Sequence, residues 1–218
     1  MAITLYYLSG SPYAWRVQLA LEHKGIAYTL STMSYDAGDF RSAGFAALNP
    51  RRRVPVIEHD GFVLYESAAI VEYLEDIAPD APHLFAAEPR LRAVQRRLVR
   101  EADQYVATEL EHLVEAVLFT APERREPQRI AAAWAALQGE LGRWEGLVEG
   151  EFLTGALSAA DFTLFPELAL ARRIGQRNPG LVAGALTGPR LAGWIARMEM
   201  LPVVRRTWPP HWGAPAGG

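Results

Sequence analysis

Hydrophobic and polar residues follow two distinct rhythms along this chain. Over the first eighty or so residues the apolar runs are short and broken by turn residues; beyond them apolar positions recur every three or four residues. Residues 3–8 read as a buried strand, and Ser9-Gly10-Ser11 as a turn. Pro12 opens a helix at a position where its missing N–H does no harm, and Gly25 stands just past the end of that helix at Lys24. Residues 26–32 form a second strand, giving βαβ, and residues 33–48 are irregular with room for one short helix. Val56 to His59 and Phe62 to Tyr65 are strand-like, joined by the two-residue hairpin signal Asp60-Gly61. Ser67 is then expected to N-cap a helix running to Ile77, since Ala68-Ala69-Ile70-Val71-Glu72-Tyr73-Leu74 is apolar at helical spacing.

Pro-rich residues 78–82 and 85–89 interrupt the pattern, which places a linker at residues 81–89. The rest has helical period. Leu91, Val94, Leu98, Ala102 and Tyr105 make one stripe; Ile130, Ala133, Trp134, Leu137, Leu141, Trp144 and Val148 a second; Leu191, Trp194, Ile195 and Met198 a third. Ser158-Ala159-Ala160-Asp161 has the form of a capping box with Asp in place of the usual Glu. The expected fold class is therefore α/β plus all-α. Residues 1–80 form a βαβ-α-ββα domain of thioredoxin-like order, and residues 90–218 a helical bundle. No internal repeat is visible. The tail Trp208-Pro209-Pro210-His211-Trp212-Gly213-Ala214-Pro215 cannot be regular helix, and its last residues are expected to be mobile.

Composition removes several function classes. A formal net charge of −3 over 218 residues gives no basic excess for nucleic acid. No apolar run approaches the ~20 residues that span a bilayer, so no membrane partner is expected. The N-terminus enters a strand without a basic n-region, so no secretory signal is expected. The absence of cysteine excludes disulfides, thiolate metal sites and cysteine nucleophiles, and is compatible with a cytoplasmic protein. The five histidines are scattered without metal-ligand spacing; four of them read as solvated, and no metal is expected. A serine hydrolase fails because Ser11 lacks the GxSxG elbow.

Two places carry chemistry. Ser11 lies between a strand and a helix N-terminus, where backbone N–H groups and the macrodipole favour an anion; the plainer reading is a helix cap. Ser9 is its neighbouring contender and Tyr13 a third, whereas Tyr6 and Tyr7 fall inside the strand. Val54-Pro55 is the second place. A cis bond there would turn the backbone of Val54 outward and leave its N–H and C=O for another extended chain, as in a peptide-like ligand. Glu66-Ser67, taken alone, is an N-cap with an acid beside it.

Val54-Pro55 followed by Glu66-Ser67 at a helix start resembles the glutathione site of the glutathione transferase family. Leu8-Ser9-Gly10-Ser11-Pro12-Tyr13-Ala14-Trp15-Arg16-Val17 resembles the catalytic turn of its serine-type members, and Leu48-Asn49-Pro50 the segment leading into their cis-proline. The resemblance covers residues 1 to about 80 closely and the remainder by pattern. It implies that the Ser11 hydroxyl donates to the sulfur of glutathione, favouring thiolate over a thiol whose ordinary pKa is about 8.5. It further implies that Glu66 holds the γ-glutamyl ammonium and Ser67 its carboxylate. Val54 would pair main chain to main chain with the cysteinyl unit, and Arg53 would reach the glycyl carboxylate. Arg51 and Arg52 are expected to be solvated, and Asp103 is the nearest match to an acid that reaches the partner subunit's ligand.

By the same resemblance the protein is a cytoplasmic homodimer that joins glutathione to an electrophilic, largely apolar small molecule in detoxification. The acceptor would bind between the domains. For Trp208 and Trp212, core packing or tail anchoring is preferred over lining that site. Two departures stand out. Arg51-Arg52-Arg53 lacks the glycine common in the middle of this run, which puts the local backbone in question. Ser11-Pro12-Tyr13 replaces the serine–serine–cysteine of the zeta-type isomerases, which argues against maleylacetoacetate isomerisation, and omega-like thiol transfer lacks its cysteine. The alternatives are a zeta-like glutathione-dependent isomerase and a non-catalytic glutathione-binding or scaffolding module.

Overall fold

The computed structural model describes residues 2–213 and resolves two compact units. Among the described residues, one comprises residues 2–85 and 201–213; the other is Ala86–Met200. Residues 201–213 therefore pack with the first unit, whereas the sequence pattern assigns them to the helical one.

In the first unit β1 (Ile3–Tyr7), α1 (Pro12–Lys24) and β2 (Tyr28–Thr32) are followed by a 3₁₀ turn (Asp39–Arg41) and a short α2 (Ala43–Leu48). Then come β3 (Val56–His59), β4 (Phe62–Tyr65) and α3 (Ser67–Ile77). The sheet order is β2-β1-β3-β4, with β1 parallel to β2 and antiparallel to β3, and β3 antiparallel to β4. This is the thioredoxin-like arrangement that the alternation of short apolar runs predicts. Ile3, Leu5 and Tyr7 are buried at alternate positions of β1, as a period of two requires. α1 and α3 pack on one another. Met33, Phe40, Phe45 and Val56 form a separate cluster with Tyr6 and Tyr65 against it. Gly25 closes α1 in the left-handed conformation (φ 64°), and its N–H reaches the Glu22 and Leu21 carbonyls.

Two local expectations need correcting. Ser67 is not the cap of α3. Glu66 takes that position with φ 73° and no side-chain capping bond, and Ser67 is the first helical residue, with its hydroxyl engaged elsewhere. The histidines are less solvated than their context suggests. His83, His112 and His211 are exposed, but His23 and His59 are partly buried, and His59 Nδ1 lies 2.7 Å from the Tyr73 hydroxyl.

The second unit holds α4 (Pro89–Glu101), a π turn (Ala102–Val106), α5 (Ala107–Val117), α6 (Pro127–Trp144), α7 (Ala159–Arg177) and α8 (Pro189–Met200). The stripe of α6 is buried as its period predicts. The first stripe is only partly right: Leu98 and Ala102 are buried, while Leu91, Val94 and Tyr105 are exposed. The π turn inserts an extra residue into the helical repeat, so Val106 rather than Tyr105 faces inward. The Ser158–Asp161 capping box is present at the start of α7. Asp161 is fully buried and accepts from the Leu153 N–H (3.0 Å), the Ser158 N–H (3.0 Å), the Ser158 hydroxyl (2.9 Å) and the Trp194 indole (2.9 Å). Burial pushes its carboxyl pKa up against the pull of those donors.

After Leu201 the chain forms α9 (Pro202–Thr207) and a 3₁₀ turn (Pro210–Trp212). Residues 208–213 are thus not regular α-helix, as expected; the rest of that tail, with its expected mobility, falls outside the described residues. Among the described residues no helix is long and apolar enough to cross a membrane.

Candidate functional site

Three short segments of the first unit carry the predicted site residues. The first is the turn from β1 into α1. Ser11 is the N-cap of α1, and its Oγ accepts from the Ala14 N–H at 3.4 Å. That distance makes a weak cap, and the hydroxyl keeps its own proton to donate. Ser9 is differently placed. Its Oγ lies 3.0 Å from His211 Nδ1 and is also hydrogen-bonded with Tyr7. The two serines that the sequence leaves in competition are thereby separated, since Ser9 is engaged on two sides and Ser11 on one. The tyrosines are held away from ionisation. Burial raises the pKa of Tyr7 against the Ser9 hydrogen bond, and burial together with the Glu58 carboxylate raises that of Tyr6. Tyr13 lies under the Arg16 guanidinium, 5.6 Å from carbon to ring centre.

The second segment is the loop into β3. The Val54–Pro55 peptide bond is cis, as the sequence leads one to expect. Val54 stands outside the ladder, whose register on both neighbouring strands begins at Val56. The loop is organised by Asn49, a buried residue the sequence reading used only as part of a motif. Its amide nitrogen donates to the Arg53 carbonyl at 2.8 Å, and its amide oxygen accepts from the Arg51 N–H at 2.9 Å. Its own carbonyl accepts from the Arg52 N–H at 2.9 Å. Arg52 adopts φ 52°, so the left-handed turn for which a glycine is better suited is made here by an arginine. Arg51, Arg52 and Arg53 are all exposed.

The third segment is Glu66-Ser67. Glu66 holds a positive φ that non-glycine residues rarely adopt, and its side chain is 69% exposed. Arg51 Nε lies 3.9 Å from it, an exposed pair worth little to stability. Ser67 is buried, and its Oγ accepts from Arg16 Nη2. Arg16 itself is 3% exposed. It is the residue that sequence reasoning missed. The signal available was a guanidinium inside the run Ala14–Leu21, every member of which is buried, because a buried cation must find a partner. The Arg16–Ser67 bond ties the helix that begins at Ser11 to the helix that begins at Ser67.

Ser11, Arg53, Val54, Glu66 and Ser67 all lie in one compact unit. Together they offer two helix starts, an outward carboxylate, a buried guanidinium behind a hydroxyl, and main chain outside the ladder beside a cis-proline. Those groups suit a zwitterionic, peptide-like molecule bearing an anionic centre. Asp103 falls in the π turn of the other unit. Among the described residues no group of three or more acidic or histidine side chains could hold a metal.

Comparison with known proteins agrees with this reading. A family model described as glutathione S-transferase, N-terminal domain, matches residues 10–77. A protein named glutathione S-transferase A from Pleuronectes platessa is 28% identical over 219 residues, covering 96% of this chain and 92% of its own. One named maleylacetoacetate isomerase from Rattus norvegicus is 31% identical over 175 residues, covering 78% of each chain. The crystal structure of a glutathione S-transferase from the Antarctic clam Laternula elliptica superposes with a TM-score of 0.80 at 26% identity, covering 99% of this chain and 95% of that one. The chain belongs to the glutathione S-transferase family of enzymes.

Proposed function

We propose that the protein binds glutathione along Ser11, Arg53, Val54, Glu66 and Ser67 and joins its thiolate to an electrophilic, largely apolar small molecule. The observation that carries this is the start of α3. The exposed Glu66 carboxylate suits the γ-glutamyl ammonium. Beside it, the Ser67 hydroxyl accepts from a buried guanidinium and so keeps its proton for a carboxylate. The helix N-terminus adds N–H groups to the same anion. The backbone of Val54 pairs with the cysteinyl unit by strand addition, and Arg53 meets the glycyl carboxylate.

In this reading the thiol lies towards the N-terminus of α1. There the Ser11 hydroxyl donates to the sulfur, and each pKa unit of lowering corresponds to about 1.4 kcal/mol in favour of thiolate. The sulfur lone pair attacks the electrophilic carbon, a C–S bond forms, and the displaced electron pair leaves with the leaving group or is protonated. The nucleophile is the ligand's sulfur; Ser11 forms no covalent bond. Exposed Leu91 and Val94, one turn apart on α4, support pairing with a second copy of the chain.

The thiolate absorbance of bound glutathione, titrated in wild type and in Ser11→Ala, tests the reading. A lowered thiol pKa that reverts in the variant is expected. Tight binding with an unshifted pKa would instead identify a glutathione-binding module. A second reading, glutathione-dependent isomerisation, is favoured by the 31% identity to a protein named maleylacetoacetate isomerase. There the thiolate would add to a double bond and be expelled after rotation. Glutathione consumption separates the two, because conjugation uses one equivalent per turnover and isomerisation none. The Ser11-Pro12-Tyr13 turn weighs against isomerisation.

A further inference from the structure

Residues 201–213 pack within the unit that carries Ser11, and His211 and Trp212 sit directly on the turn before that residue. Gly10 has φ 84°, and a Cβ built on it would lie 3.1 Å from Trp212 Nε1 and 3.2 Å from Trp212 Cζ2. The indole therefore covers the Gly10 backbone closely, and only glycine satisfies both the conformation and the contact. Next to it, the Ser9 hydroxyl bonds His211 at 3.0 Å. Two consecutive residues of the tail thus hold the two residues that precede Ser11.

That hold is anchored in the core of the unit. Trp15, Trp208 and Trp212 meet edge to face in all three pairings, with ring centres 5.4, 5.7 and 5.9 Å apart. Trp15 is fully buried, and its indole N–H donates to the Thr207 hydroxyl at 2.8 Å. The Trp208 indole donates to the Gly213 carbonyl at 2.7 Å, and Arg206 Nε to Glu22 at 3.0 Å. Two of these edge-to-face pairs join the tail to Trp15 and the third braces the tail on itself, so the tail is fixed far better than by the Ser9–His211 bond alone.

We infer that His211 and Trp212 are positioning residues for the reaction: through Ser9 and Gly10 they fix the β1–α1 turn and so the aim of the Ser11 hydroxyl. The inference rests on the glutathione reading above. Neither residue is asked to touch the sulfur. With Ser9 tethered to His211 and Tyr7, and Gly10 covered by Trp212, the turn has little freedom left, and Ser11 is held at the head of α1 from its N-terminal side. A misplacement on the scale of an ångström can reduce a rate by as much as about a hundredfold, so a loose turn would show in the chemistry before it shows in binding.

The test uses the full chain with glutathione and 1-chloro-2,4-dinitrobenzene as electrophile, in His211→Ala, His211→Asn and Trp212→Phe. His211→Ala should lower kcat about three- to tenfold with the KM for glutathione nearly unchanged, and should raise the pKa of the bound thiol towards its free value. His211→Asn, whose amide can bond Ser9, should restore most of both. Trp212→Phe, which keeps an aromatic ring but loses part of the cover on Gly10, should fall between wild type and His211→Ala. Amide hydrogen exchange of residues 8–14 should quicken in His211→Ala while the strands keep their protection. An unchanged kcat and thiol pKa in His211→Ala would overturn the inference, as would a loss confined to KM. Should wild type itself leave the thiol pKa unshifted, the thiolate-activation part of the glutathione reading fails instead, and hydrogen exchange alone decides whether the tail fixes the turn.

Discussion

Ser11 and Ser158 each cap a helix, and their surroundings are opposite. Ser158 and Asp161 form a closed box at the head of α7, with four donors converging on a carboxylate that has no exposure at all. Ser11 heads α1 with a single long capping bond, and α3 starts at Glu66 with no side-chain cap. A satisfied, buried helix start contributes to stability. One left half-satisfied at the surface of its unit keeps N–H groups and a hydroxyl for a ligand. The comparison teaches that polar groups at helix ends serve either the fold or the ligand, and that burial with a complete set of partners distinguishes the two.

Substitutions can break the contrast, beginning with the largest effect. Asp161→Ala strands the Leu153 and Ser158 N–H groups and the Trp194 indole in a dry interior. It should lower unfolding free energy by about 3–5 kcal/mol, read as a fall in the urea midpoint. If it instead spared stability and abolished glutathione affinity, the division of roles would be wrong. Ser11→Ala should do the reverse, reducing turnover by about ten- to a hundredfold while stability falls by only about 0.5–1 kcal/mol, the worth of a weak cap.

Arg16→Met keeps the volume of a buried chain and removes the charge behind Ser67. Glutathione should bind about tenfold more weakly by calorimetry, with kcat at saturation little affected. For Glu66→Gly, relief of the positive φ should hold or slightly raise stability, while loss of the carboxylate weakens glutathione several-fold. A variant that gains stability and loses affinity would show strain kept at the site for the sake of the ligand.

The smallest effect lies at the other end of α1, where buried Lys24 meets Glu75 at 2.6 Å. Burial raises the Glu75 pKa, but Lys24 and the Leu84 and Phe85 N–H groups outweigh it and leave the pKa below its ordinary 4.5. A depressed carboxyl pKa stabilises the fold above the unfolded value and loses that contribution as pH falls through the folded one. The gap in urea midpoint between wild type and Glu75→Gln should therefore be constant near neutrality and shrink below about pH 4.5.

Much of this was legible in the chain. The strands, the Asp60-Gly61 hairpin, the helix from Pro12 to Lys24 and the Ser158–Asp161 box all depend on neighbouring residues, and each was readable from local pattern; the cis bond at Pro55 was expected from the family resemblance. What escaped depends on contacts distant in sequence. Nothing near Arg16 says that it will meet Ser67, because that requires α1 to pack on α3. The π turn escaped because one extra residue leaves no mark on composition, yet it turns Tyr105 outward. Asn49 looked like part of a motif, and its bonds to Arg51 and Arg53 appear only once the loop closes. Arg52 shows that an arginine can hold a left-handed turn when the bonds of Asn49 to its neighbours frame it.

The placement of α9 and the residues after it bears on how the chain is made. A ribosome delivers Ala86–Met200 before the stretch from Leu201 onward, which completes the unit begun by the N-terminus. The helical unit therefore has all its own residues while the earlier one still lacks Thr207, Trp208 and Trp212. Synthesis still runs from N to C, yet the unit that emerges first is the one whose set of residues is completed last.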